Sequence, residues 1–278
     1  MRVAVVQLGY EDAEPPAERL ARVVDLVAGL AGHDLVLLPE LWLPTGFGYR
    51  GWEALAEPLD GEFAEAMGAL ARRAGVVLHA GSFVERLPEA GADGRVLANT
   101  SLAFGPDGSR LAVYRKVHRF GFGAGEPVLM EAGREVVVVD LPLAGGAPVS
   151  GASAGEATSV WTGLSTCYDL RFPELYRRQV GLGAELFLVP AAWPAPRVAH
   201  WTLLGRARAV EDQALVVQCN TAGTHAGQEM GGRSQVVDPT GAVLAEAGTG
   251  PEVLSVEVDL AAVRQARDAF PVLADRRL

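Results

Sequence analysis

Cys167 lies in the segment Gly163-Leu164-Ser165-Thr166-Cys167-Tyr168-Asp169-Leu170-Arg171-Phe172-Pro173-Glu174. The apolar run from Val160 to Thr166 predicts a strand that stops at the cysteine, and Pro173 predicts the start of a helix. A thiol at a strand-to-helix turn stands clear of the sheet, with main-chain N–H groups able to face a bound carbonyl. That placement suits a nucleophile, and an inert core cysteine is the competing reading of this segment alone. Glu40 directly follows Leu35-Val36-Leu37-Leu38-Pro39. A carboxylate at the end of a buried strand is poorly hydrated, which favours proton uptake and suits a general base. A plain loop or helix-start acid is the alternative. Lys116 closes the run Val113-Tyr114-Arg115. Beside a thiol, its ammonium would stabilise both a thiolate and a developing oxyanion, whereas taken singly it reads as a surface lysine. Glu126 sits in Gly123-Ala124-Gly125-Glu126-Pro127, a Gly-rich loop, and gains meaning only alongside the other three.

Composition bounds what these groups serve. The 278 residues carry a formal charge of −10, which argues against a nucleic-acid partner and an anionic membrane surface. Apolar residues make up 49% of the chain, enough for a sizeable core, and no stretch approaches the ~18 apolar residues of a membrane span. Two cysteines, Cys167 and Cys219, do not make a disulfide framework, so the expected compartment is the cytoplasm. Cys219 reads as core. The five histidines show no HxH or HxxxH spacing and no CxxC is present, so no metal site is expected.

The elements needed to position these groups follow from periodicity. Strands are predicted at Val3 to Gln7, Leu35 to Leu38, Val76 to Ala80, Leu97 to Phe104, Leu111 to Arg115, Val136 to Leu141, Leu186 to Pro190, Ala214 to Asn220 and Val253 to Val258. Helical spacing predicts Pro16 to Ala31, a helix through Phe63 to Ala74 ended by Gly75, Ala199 to Asp212 with Trp201, Leu204, Ala207 and Val210 on one face, and Ala261 to Ala269. Residues 144–158, rich in Gly, Ala and Ser, read as an exposed loop lengthening a hairpin. Strands apolar on both sides imply sheets covered on both faces, hence a mixed α/β class. Residues 1–278 are expected to form a single domain.

Leu38-Pro39-Glu40, Tyr114-Arg115-Lys116-Val117-His118 and the Cys167 segment resemble, in order and separation, the three signature blocks of the nitrilase, or carbon–nitrogen hydrolase, superfamily. The resemblance implies a four-layer αββα sandwich with two central mixed sheets. It implies Cys167 as nucleophile, Glu40 as general base, Lys116 as the cation facing the tetrahedral intermediate, and Glu126 as a second glutamate orienting Lys116 or the amide. The N–H of Tyr168 would complete the oxyanion hole, and no cofactor is implied. Homodimers or larger homo-oligomers, pairing through the helix after the nucleophile and C-terminal segments, are also implied. One departure is Arg119-Phe120-Gly121, where the family usually has Leu-Phe-Asp.

Ala191-Ala192-Trp193-Pro194-Ala195-Pro196-Arg197 followed by His200-Trp201 resembles the bacterial omega-amidase branch, which implies a small-molecule substrate such as 2-oxoglutaramate. An N-carbamoyl hydrolase or a nitrilase with the same triad are alternatives, and a non-catalytic binding module is a distant one. A carboxylate-bearing substrate needs a cation, for which Arg197 and Arg171 are candidates. For Arg171 pairing with a buried acid to hold the turn is the favoured reading, whereas Arg197 is equally open to being a surface residue and Trp193 to filling core instead of walling a pocket. The loop after Glu40 is expected to rim the pocket, with Phe47 or Tyr49 against substrate.

Overall fold

A computed structural model describes residues 1–143 and 159–277; the loop expected at 144–158 lies outside them. In chain order the elements are β1 (Arg2–Gln7), β2 (Gly9–Glu11), α1 (Pro16–Ala28), β3 (Leu35–Leu37), α2 (Glu62–Ala74), β4 (Val77–Arg86), β5 (Leu97–Phe104), β6 (Arg110–Arg115), α3 (Glu126–Leu129) and β7 (Val138–Pro142). Then follow β8 (Ser159–Leu164), α4 (Pro173–Gly181), β9 (Leu186–Pro190), α5 (Val198–Asp212), β10 (Leu215–Cys219), β11 (Ala222–His225), β12 (Gln228–Glu229), β13 (Gln235–Val237), β14 (Val243–Glu246), β15 (Glu252–Glu257) and α6 (Ala261–Ala269).

Twelve strands make two six-stranded sheets, ordered β15-β1-β3-β4-β5-β6 and β14-β13-β10-β9-β8-β7. Each has a parallel centre, β1-β3-β4 or β8-β9-β10, and antiparallel flanks. Alternation along the strands explains the layering. Val3, Val5, Leu35 and Leu37 face Leu186, Leu188, Leu215 and Val217 in the core between the sheets. Their neighbours Ala4, Val6, Val36 and Leu38 face α1 and α2, through Val23, Val27, Phe63 and Met67. On the other side Phe187, Val189 and Val216 meet Leu175 and Tyr176 of α4 and Trp201 and Ala209 of α5. These are the four αββα layers.

Several expectations are corrected. Helix α1 stops at Ala28, not Ala31, where the last turn tightens: Gly29 N–H reaches the carbonyls of Asp25 and Leu26, and Leu30 N–H that of Val27. Strand β4 runs on to Arg86 instead of ending at Ala80, since Gly81 (φ +69°) sits in an irregularity that bends the strand without ending it. On α5 the buried residues are Trp201, Gly205, Arg208, Ala209 and Asp212, while Val210 is exposed. Gly205 draws that face onto the sheet: a Cβ there would lie 1.6 Å from Gln218 Oε1. Arg208 is held inside by donating to the Leu170 carbonyl. The small sheet β12-β11-β2 was not foreseen, because its strands are two to four residues long and lack apolar alternation.

Candidate active site

The candidate residues sit just beyond the carboxyl ends of their strands: Glu40 after β3, Lys116 after β6 and Cys167 after β8. Open α/β sheets place ligands at that edge. Glu40 is pinned by its own segment. Leu41 N–H donates to Ser82 Oγ (3.0 Å) and Trp42 Nε1 to the Ala80 carbonyl (2.9 Å). Gly81 makes this approach possible, since a Cβ there would lie 1.9 Å from the Pro39 carbonyl oxygen. Lys116 is fixed by its N–H to the Asn99 carbonyl (2.9 Å) and its own carbonyl to Gly133 N–H (2.8 Å).

Cys167 opens a 3-10 turn, Cys167–Arg171, and has φ +48°, a left-handed conformation unusual for a side-chain-bearing residue. Such geometry costs ~1–3 kcal/mol and is held by its surroundings. A reciprocal pair of bonds does so: Asp169 N–H donates to the Thr166 carbonyl (3.0 Å), and Asp169 Oδ2 accepts from Thr166 N–H (2.9 Å).

The polar side chains converge. Lys116 Nζ lies 2.7 Å from Glu40 Oε1 and 2.8 Å from Glu126 Oε2. Asn99 Nδ2 donates to Oε1 of both glutamates, at 2.8 and 2.6 Å. Ala192 N–H donates to Glu40 Oε2 (2.9 Å), and Phe120 N–H to Glu126 Oε2 (2.5 Å). All three charged groups are buried. Burial alone would favour neutral Lys116, but the carboxylates of Glu126 and Glu40 outweigh it and hold the ammonium well above the ordinary lysine range. Burial raises the Glu126 carboxyl, which Lys116 only partly offsets. Burial, then the charge of Glu40, holds the Cys167 thiol well above the ordinary cysteine value against the pull of Lys116. The resting sulfur is therefore protonated and needs an adjacent base to react.

Glu40, Lys116, Glu126, Cys167 and Tyr168 line one cleft of about 410 Å³, together with Phe47, Arg171, Trp193 and Arg197. Every residue singled out from the sequence thus meets here. Glu126 is not in a loop but is the first residue of α3, where Gly125 (φ +75°) turns the chain inward. Arg171 has no acid partner among the described residues, contrary to the turn-holding alternative; it donates to His200 Nδ1 (3.3 Å) and lies 4.7 Å from the Trp193 ring centroid. Arg197 sits 5.5 Å from the Phe120 ring centroid. Trp193 is buried, yet it walls the cleft. Cys219 is free and buried in the core.

Sequence reading missed the tie made by Asn99, although three consecutive polar residues, Asn99-Thr100-Ser101, in the middle of a wholly buried strand were a usable signal. Phe120 and the Ala192 N–H were also missed, the latter because a main-chain donor leaves no trace in residue type. Among the described residues, no three His, Cys, Asp or Glu side chains are placed to hold a metal ion, and no helix is long and apolar enough to cross a membrane.

Known proteins resemble this chain over nearly its whole length. A 2-oxoglutaramate amidase of Paenarthrobacter nicotinovorans is 44% identical over 275 residues, covering 99% of this chain and 89% of that one. A 2-oxoglutaramate amidase of Bacillus subtilis is 33% identical, covering 94% and 92%. Among solved structures, a carbon–nitrogen hydrolase superfamily protein of Xanthomonas campestris with an arsenic adduct in its active site superposes with a TM-score of 0.84 at 29% identity, covering 100% and 97%. The carbon-nitrogen hydrolase family model matches residues 2–268, and with a four-layer fold and a cleft of this composition the chain belongs to the carbon–nitrogen hydrolase family.

Proposed function

We propose that this protein hydrolyses the terminal amide of a small ω-amidated dicarboxylic acid of the 2-oxoglutaramate kind, through a thioester on Cys167, releasing ammonia. The observation that carries the reading is the buried Glu40–Lys116–Glu126 cluster sharing a cleft with a protonated thiol and two arginines that have no acid partner among the described residues.

Glu40 Oε1 is occupied by Lys116 and Asn99, whereas Oε2 receives only the Ala192 N–H and keeps a lone pair for the thiol proton. As that proton moves to Glu40, the sulfur attacks the amide carbon and charge builds on its oxygen. The Lys116 ammonium and the Tyr168 N–H face that oxygen; one such donor typically lowers the barrier by ~3 kcal/mol. Protonated Glu40 then hands its proton to the departing nitrogen, and ammonia leaves. Glu40 next takes a proton from water, which attacks the thioester, frees the acid and restores the thiol. Glu126 keeps Lys116 oriented throughout. Arg171, against Trp193, and Arg197, against Phe120, keep their charge available for the substrate carboxylate, with Phe47 on the cleft wall.

This reading treats the chain as one catalytic domain working in the cytoplasm, where its two thiols stay reduced. It also takes the protein to act as a homodimer or larger homo-oligomer, supported by exposed Leu203 and Val210 on α5 and Phe270 after α6. The test is an ammonia-release panel of 2-oxoglutaramate, 2-oxosuccinamate, glutamine, neutral amides, carbamoyl amines and nitriles. Highest kcat/KM on an acidic ω-amide is expected. Preference for a nitrile, or carbon dioxide released from a carbamoyl amine, would overturn the substrate assignment.

A further inference from the structure

We infer that Asp169 is a positioning residue, whose carboxylate sets the nucleophile turn and the lysine-bearing segment in register. The inference rests on the roles given above to Cys167 and Lys116. Asp169 is fully buried and receives bonds from two segments about fifty residues apart. Its Oδ2 accepts from Thr166 N–H (2.9 Å) and from the Tyr114 hydroxyl (2.6 Å). Its Oδ1 accepts from His118 N–H (2.8 Å) and bonds the His118 ring through Nδ1 (2.8 Å). Thr166 directly precedes the nucleophile, and Tyr114 and His118 lie two residues either side of Lys116. The His118 ring also stacks on Phe172, at the end of the nucleophile turn, at 3.7 Å and 5°. One carboxylate therefore fixes how the sulfur and the ammonium sit relative to each other, without being placed among the cleft-lining groups.

Residue type follows from the donor count. Each carboxylate oxygen receives one main-chain N–H, from Thr166 on one side and His118 on the other. An asparagine must turn its NH₂ towards one of them. Whichever way it lies, a donor meets a donor, and either the Cys167 segment or the Lys116 segment is displaced.

Asp169→Asn is expected to lower kcat per folded molecule on the order of 10–100-fold, the effect of misplacing reacting groups by about 1 Å. KM for the best amide of the panel should stay within about threefold, since the arginines and aromatic walls are untouched. A purely structural role would instead lower the melting temperature and the yield of folded protein, leaving kcat per folded molecule unaltered. Folded Asp169→Asn with wild-type kcat would overturn the inference. Should that variant not fold, Tyr114→Phe and His118→Ala each delete one donor and leave both main-chain bonds. Each is expected to reduce kcat severalfold with KM held, and wild-type kcat in both would overturn the inference. Cys167→Ala is assayed alongside: turnover there would reject the thiol mechanism, and this inference with it, whereas an inactive Cys167→Ala beside a fully active Asp169→Asn would reject the inference alone.

Discussion

His225→Phe is expected to make the protein about 2 kcal/mol less sensitive to acidification between pH 7 and pH 5. His225 is fully buried and its ring stacks on Tyr10, with centroids 4.0 Å apart and planes at 14°. Burial, helped by the nearby Arg19 charge, lowers its pKa from 6.5 to about 3. A histidine whose folded value is depressed is protonated first in the unfolded chain. Its contribution to stability is therefore complete above pH 6.5 and is lost as pH falls from there towards 3. One such group costs about 0.2 kcal/mol at pH 7 and about 2 kcal/mol at pH 5. His79, lowered to about 4 by burial, adds a loss of the same sign. Asp212, raised to about 6 by burial despite Arg177, acts oppositely and gains stability as pH falls through 6. Both remain in the variant, so they cancel in the comparison. The assay is urea unfolding of wild type and His225→Phe at pH 7 and pH 5, with each midpoint converted by its own slope. Equal pH dependence in the two proteins would refute the reasoning. Activity should follow stability, because Arg19 lies on the far side of the Tyr10 ring and donates to the carbonyls of Trp42 and Leu43 behind Glu40.

Cys167→Ala should abolish ammonia release while leaving the melting temperature near wild type; appreciable turnover would refute the nucleophile assignment. Lys116→Ala should lower kcat at least about 100-fold and cost about 3–5 kcal/mol of stability, because two buried carboxylates lose their shared cation; an unaltered kcat would remove it from the oxyanion role. Arg197→Ala should raise KM for acidic ω-amides well above any change for neutral amides, and equal changes would end the carboxylate-binding idea. Gly81→Ala should cost at least ~1–3 kcal/mol and depress kcat by pushing Pro39 and Glu40, read by thermal melts and initial rates; a wild-type melt and rate would contradict the close approach described.

The parts of this molecule that were legible in the sequence share a cause. Strands β3, β5 and β9 are wholly buried, so their residues read as unbroken apolar runs or polar islands in one, and the groups that follow them are conspicuous. Glu40 closes such a run after β3, whereas Lys116 and Cys167 follow the partly exposed β6 and β8, and the three signature blocks fix their order. The illegible parts depend on contacts distant in sequence. The inward face of α5 is chosen by Gly205 against Gln218 and by Arg208 against the Leu170 carbonyl, not by its apolar residues. Glycine at 81 looks like a strand breaker until the Pro39 carbonyl beneath it is seen. That no acid among the described residues pairs with Arg171 could not be read from its neighbours in the chain, because its actual contacts, His200 and Trp193, come from a later segment.

The groups proposed to react hang from strand ends in two different sheets: Glu40 and Lys116 beyond one, Cys167 beyond the other. Until those sheets dock, the newly made polypeptide carries an ordinary cysteine with no base beside it. Turnover is thus withheld from partly folded chains, whose thiol has no carboxylate placed to take its proton. Catalytic output is correspondingly a gauge of complete folding, and a proteolytic fragment holding either sheet alone would turn over no amide.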